Sequence, residues 1–162
     1  MHWEEGSKTV ADDHEPFMRI ALEEAGKAGE AGNRAVGAVV VRNGAVVGQG
    51  GNRRESAVDP TGHAEVTALR DAARRTGSLD FGGCTVYTTL EPCPMCCGAM
   101  VANNVPALVV GAMHAPGEQR WGAYTVQQLL DTVGQGTAVV VGVLGAECAA
   151  LLREWDARQG RV

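Results

Sequence analysis

Two short motifs limit what this chain can fold into: His63-Ala64-Glu65, and downstream Pro92-Cys93-Pro94-Met95-Cys96. Together they offer one imidazole, two thiols and a carboxylate, and these can serve one metal ion only in a fold that carries both motifs to the same point. Structural zinc sites are closed tetrahedra with four protein ligands, whereas catalytic ones keep the fourth position for water or substrate. Three ligands, His63, Cys93 and Cys96, therefore read as a catalytic Zn2+ set. Glu65 is then the group that takes a proton from water at the metal and returns it to a substrate nitrogen.

The flanking residues place both motifs at helix starts. Pro92 precedes Cys93, Pro94 follows it, and Met95 to Val101 is compatible with a helix, so Cys93 is expected near an N-cap with Pro94 at the first helical position. The positive end of a helix favours thiolate over thiol, the form that binds metal. Asp59-Pro60-Thr61 supplies turn and capping residues before a second helix, running roughly from Gly62 to Arg75. Spacing leaves one difficulty: positions i and i+2, such as His63 and Glu65, do not share a face of an ideal helix. A lone C-x-x-C also fits a redox pair or a structural zinc knuckle. Neither explains the His-x-Glu motif or the flanking prolines.

The His-x-Glu and Pro-Cys-x-x-Cys pair, in this order, resembles the zinc-dependent cytidine deaminase-like superfamily. The longer strings Asp59-Pro60-Thr61-Gly62-His63-Ala64-Glu65 and Thr89-Leu90-Glu91-Pro92-Cys93-Pro94-Met95-Cys96 are similar to the branch that holds bacterial tRNA adenosine deaminases, guanine deaminases and yeast-type cytosine deaminase. The resemblance runs from about Phe17 through Val36 to Val41 and on to Glu147 to Leu152. It implies that His63, Cys93 and Cys96 hold zinc and that Glu65 shuttles protons to the ring nitrogen and the leaving amine, with release of ammonia. It implies base contacts from Asn52, and Ala64 and Glu91 are taken into the same substrate-binding set. It also implies a homodimer.

Two substrates are open under that resemblance. The net charge is -5, and no Lys or Arg occurs between Arg75 and Arg120. A phosphate backbone is gripped by several basic groups, and tRNA-acting members carry basic residues in this region. The expectation is therefore a free nucleobase or nucleoside of guanine, adenine or cytosine type. The alternative is a tRNA-specific adenosine deaminase that forms inosine at the wobble position, and a non-catalytic zinc-stabilised subunit is a third, weaker reading. Arg53 and Arg54 remain a phosphate contact for the tRNA case, and Arg70, Arg74 and Arg75 read as a solvated helix face. In the loop from His114 to Tyr124, Trp121 and Tyr124 either stack on a base or pack the loop down. His114 is either a base contact or a surface residue, and Trp155 either closes the pocket or anchors the last helix.

The remaining expectations concern the fold. At 162 residues and 45% hydrophobic content, one domain with a good core is expected, with residues 1–12 as a flexible tail and 13–162 as the deaminase domain. Asp13 is the expected cap of a first helix bearing Phe17, Ile20 and Ala21. The valine runs from Val36 and Ala45 flank Asn43-Gly44, a hairpin signal. Strands follow at Cys84 to Leu90, Ala107 to Gly111 and Ala138 to Val143, alternating with helices. That order predicts an α/β fold of three layers, α/β/α, around a central mixed five-stranded sheet. Cys84, Cys97 and Cys148 are expected as buried thiols. Five cysteines without a secretory signal, no bilayer-length apolar run, and a metal that needs reduced thiols point to a cytoplasmic protein.

Overall fold

The computed structural model describes residues 3–115, 118 and 120–161, with side chains from residue 13 onward. Its order is α1 (Trp3–Glu30), β1 (Gly37–Arg42), β2 (Ala45–Gly51), α2 (Ala64–Thr76), β3 (Cys84–Leu90), α3 (Pro94–Ala102), β4 (Ala107–Ala112), α4 (Val126–Val133), β5 (Ala138–Val141) and α5 (Gly145–Arg158). The expected alternation of helices and strands is present throughout. Several boundaries shift by one or two residues, such as β5, which ends at Val141 and not Val143, and one shifts by more. Helix α1 does not begin at Asp13 but runs on through Asp13 and the exposed Pro16 back to Trp3, so the missing Pro16 N–H costs one helical bond without ending the helix. Of the expected tail, Met1, His2 and the side chains of residues 3–12 lie outside the described residues.

The strands form one sheet in the order β2-β1-β3-β4-β5. β1 pairs antiparallel with β2 and β3, and β3, β4 and β5 run parallel. Asn43 and Gly44 turn the β1–β2 hairpin with φ of 50° and 74°, the two positive values that a type I′ turn requires. Residues directly opposite one another share a face of a sheet, so Gly50, Ala38, Thr88 and Val110 form one row. Helix α2 covers that face, while α1 and α5 cover the other, which gives the three layers.

Small residues set how close those layers come. A Cβ on Gly48 would lie 2.5 Å from the Ala68 carbonyl and the Ala72 amide of α2, and one on Gly37 would collide with the Ala21 carbonyl of α1. The facing helix positions, Ala21, Ala25, Ala68 and Ala72, are all fully buried. This glycine–alanine packing explains a core that needs few aromatics: β1, β3 and β4 supply its valines, including Val39, Val40, Val86, Val109 and Val110. Cys84, Cys97 and Cys148 are buried free thiols within it, and burial pushes Cys97 up to about 11 and Cys148 up to about 12. No helix among the described residues is long and apolar enough to cross a membrane.

Candidate active site and metal centre

The carboxyl ends of β3 and β4 and the adjoining ends of β1 and β2 meet at one edge of the sheet, the place where open α/β sheets form their ligand crevices. A cavity of about 590 Å3 opens there, with Val36, Asn52, Leu90 and Ala112 from the strand ends in its wall. The N-termini of α2 and α3 point at the same place. His63 is the N-cap of α2 and Cys93 the N-cap of α3, with Pro94 at the first helical position. Cys96, one turn in, is fully buried.

The N-cap geometry removes the difficulty of the i, i+2 spacing. His63 has φ -73° and ψ 157°, so its backbone is extended while Glu65 already lies in the first turn of α2. A half-turn of helix is thereby replaced by a bend, and both side chains reach the cavity wall.

The ligand atoms of His63, Cys93 and Cys96 lie within 4.8 Å of one another. His63 Nδ1 and Cys93 Sγ are 3.5 Å apart. Two ligands at zinc–nitrogen and zinc–sulfur bond lengths, set at a tetrahedral angle, are separated by about 3.5 Å. The donor set and its spacing therefore fit zinc, with three protein ligands and a cavity on the fourth side. Hydrogen bonds from Cys96 and then His63 hold the Cys93 thiol down to about 4, whereas its hydrogen bond with Cys93 and its own burial push Cys96 up. Cysteine binds metal as thiolate, so a cation held here would be bound with release of thiol protons.

Glu65 is buried in the cavity floor, and Thr88 on β3 donates a hydrogen bond of 2.8 Å to its Oε1. Burial raises its proton affinity above that of an ordinary carboxyl, offset in part by the Thr88 bond. A carboxyl so placed can hold a proton beside the metal and return it.

The other expected substrate contacts divide. Asn52, Ala64, Glu91, His114 and Trp121 all line the cavity. Asn52 Oδ1 accepts the Arg54 amide at 2.9 Å, so its side-chain amide nitrogen is the group left for a ligand. Glu91 is buried, and its Oε2 accepts the Val126 amide at 3.0 Å, which commits one oxygen to the start of α4. His114 Nδ1 is 3.6 Å from the other oxygen, beyond hydrogen-bond range. Tyr124 does not line the cavity. Its hydroxyl donates to the Pro92 carbonyl at 2.7 Å, so it packs the loop rather than stacking on a ligand. Trp155 is likewise an anchor: its ring covers Gly29 of α1 and carries the Arg158 guanidinium 4.8 Å from its centroid.

Of the two arginines expected as phosphate contacts, Arg54 lines the cavity and Arg53 does not. Arg34, Arg120, Arg153 and Arg161, which the sequence reading missed, line it as well. These four come from the α1–β1 connection, the loop after β4, and the C-terminal helix and its end, so no local motif announces them. Arg70 is exposed, as expected of a solvated helix face, yet its guanidinium is also engaged. It donates to Asp59 Oδ2 and Thr61 Oγ1, both at 2.9 Å, and Thr61 donates to Asp59 Oδ1, which together fix the turn leading into His63.

Residues 11–112 match the family model described as the cytidine and deoxycytidylate deaminase zinc-binding region. A tRNA-specific adenosine deaminase of Bacillus subtilis is 38% identical over 140 residues, covering 85% of each chain. A solved tRNA:A34 deaminase superposes with a TM-score of 0.75 at 33% identity, over 83% of this chain and 97% of that one. Guanine deaminase from Nitrosomonas europaea superposes with a TM-score of 0.78 at 28% identity, over 88% of this chain and 84% of that one.

Proposed function

This chain belongs to the zinc-binding cytidine and deoxycytidylate deaminase family, and from that premise we propose that it is a hydrolytic deaminase whose substrate is an adenosine held in RNA. The observation that carries the substrate class is the set of five arginines lining the cavity. The overall charge of -5 and the stretch without Lys or Arg after Arg75 had favoured a free base. Local charge is what a phosphate meets, and at the cavity five arginines stand beside four glutamates, of which Glu91 and Glu118 come from that stretch and Glu55 and Glu65 from outside it. The tRNA-specific adenosine deaminase at 38% identity points the same way.

The chemistry follows from the site. Zinc held by His63, Cys93 and Cys96 supplies the Lewis acidity that makes water a nucleophile at neutral pH. Glu65 takes one proton from the attacking water and delivers it to the ring nitrogen, then takes the second from the hydroxyl now on the ring carbon and passes it to the amine, which leaves as ammonia while the ring carbon keeps the oxygen as a carbonyl. Asn52 offers its amide nitrogen to an acceptor on the base. Trp121, 39% exposed at the mouth with the Arg120 guanidinium 4.3 Å from its ring centroid, offers an aromatic face to a flanking base or to the extruded one.

A second reading, deamination of free guanine or a related base, is favoured by the likeness to guanine deaminase. Inosine formation in an anticodon stem-loop with adenosine at the wobble position, measured beside ammonia release from free adenine, guanine, cytosine and their nucleosides, separates the two. Turnover of the stem-loop with little on the free bases is expected. Turnover of a free base that leaves the stem-loop untouched overturns the RNA reading in favour of the second.

A further inference from the structure

We propose that Thr88 is a positioning residue for the proton shuttle: its hydroxyl donates to Oε1 of Glu65 and ties the orientation of that carboxyl to the sheet. The inference rests on the deaminase reading of this site.

Thr88 lies on β3 between Ala38 of β1 and Val110 of β4, on the sheet face covered by α2. Its neighbours in that row are small and apolar, and it has no exposed surface. Valine has the same shape and would pack there equally well, so packing gives no reason for a hydroxyl. The hydroxyl has one proton and two acceptors within reach: Glu65 Oε1 at 2.8 Å and the Leu90 carbonyl at 3.0 Å. An ionised carboxylate is the stronger acceptor of the two.

The stiffness of the side chain matters as much as its chemistry. A β-branched residue in a strand has a restricted χ1, and Thr88 is locked between paired strands on both sides, so the oxygen that holds Glu65 is fixed by the sheet. Without the Thr88 bond the carboxyl loses its tie to the sheet and is freer to turn away from the substrate. Thr89 shows that a neighbouring threonine can be purely structural: its Oγ1 accepts the Gly37 amide at 3.1 Å on the opposite face.

The test uses zinc-loaded wild type, Thr88→Val and Thr88→Ser, with zinc content, melting temperature, kcat and KM measured on whichever substrate the wild type turns over. Loss of one hydrogen bond to a charged group predicts a fall in kcat of about 10- to 100-fold in Thr88→Val. KM is expected to stay within about twofold and zinc content to be unchanged, because neither the cavity wall nor the ligands are altered. Thr88→Ser keeps the hydroxyl and should recover kcat to within about threefold of the wild type. Unchanged kcat in Thr88→Val overturns the proposal. So does a folded, zinc-loaded Thr88→Ser that is as slow as the valine variant, and this arm decides the matter if Thr88→Val does not fold. A wild type inactive on every base, nucleoside and RNA tested would sink the deaminase reading and the positioning role with it, whereas an active wild type matched by Thr88→Val sinks the positioning role alone.

Discussion

If the arginines at the cavity bind RNA backbone, affinity must fall with salt by an amount the structure sets. Of the five, Arg34 is paired with Asp156 at 3.4 Å, and Glu55 lies 3.5 Å from Arg54 and 3.8 Å from Arg161, so it neutralises one of that pair. Among the described residues, Arg120 and Arg153 make no ion pair. About three arginines are thus available to phosphates. For single-stranded nucleic acid each neutralised phosphate contributes about -0.7 to the slope of log K against log salt concentration, so the expected slope is about -2. Raising salt from about 50 to about 200 mM should then weaken binding about 15-fold. Fluorescence anisotropy of a labelled anticodon stem-loop titrated with Glu65→Ala protein reads this without turnover. Arg153→Ala removes one contact and should bring the slope to about -1.4. A wild-type slope near zero, or one that Arg153→Ala leaves unchanged, would refute the role assigned to these arginines.

Two further predictions concern the frame that holds the site. Gly48→Ala puts a Cβ 2.5 Å from backbone atoms of α2 that have nowhere to move; overpacking of this kind costs about 1–3 kcal/mol, seen as a lower denaturant midpoint, and an unchanged midpoint would contradict the packing described. Asp59 is held at about 2, first by the Thr61 hydroxyl and amide and then by Arg70. Its unfolded value is about 3.9, so its contribution to stability is fully present above that value and is lost as pH falls through about 2. An NMR titration should find the Asp59 carboxyl still ionised at pH 3, and Arg70→Ala should move its midpoint upward. A midpoint near 4 in the wild type would show that the turn before His63 is not held this way.

How much of this was legible in the sequence depended on how local each signal was. The hairpin at Asn43-Gly44, the two helix starts at the ligands and the alternation of strands and helices all rest on neighbours along the chain, and all are present. The metal set was legible because its residue types are rare and its flanking prolines specific. That His63 and Glu65 serve one centre was not derivable from helix periodicity, since it depends on His63 being the cap and not the first helical residue. Most of the arginines were missed for the opposite reason. Arg34, Arg153 and Arg161 are distant in sequence from one another and from Arg54, the one cavity arginine that was expected, and they join it only because the segment after α1, α5 and the loop after β2 meet at one end of the sheet. A count of charges along the chain registered their absence from 76–119 and not their presence at the cavity. Buried Asn33 is a similar case: its Oδ1 accepts the amides of Glu55 and Ser56, both at 3.0 Å, and so shapes the loop that carries Arg54, a role no pattern of residues reveals.

The central claim is that His63, Cys93 and Cys96 hold a zinc ion beside which Glu65 moves the protons of a deamination. Ammonia release by Glu65→Gln, with its zinc content measured in the same sample, tests it most directly. Glutamine keeps the size and the hydrogen-bond acceptor for Thr88 but cannot shuttle a proton. Full zinc occupancy with turnover reduced by about 100- to 10,000-fold is the expected result, the range that general acid–base catalysis contributes. Turnover within a few-fold of the wild type at full zinc occupancy would contradict the role of Glu65 and the mechanism built on it.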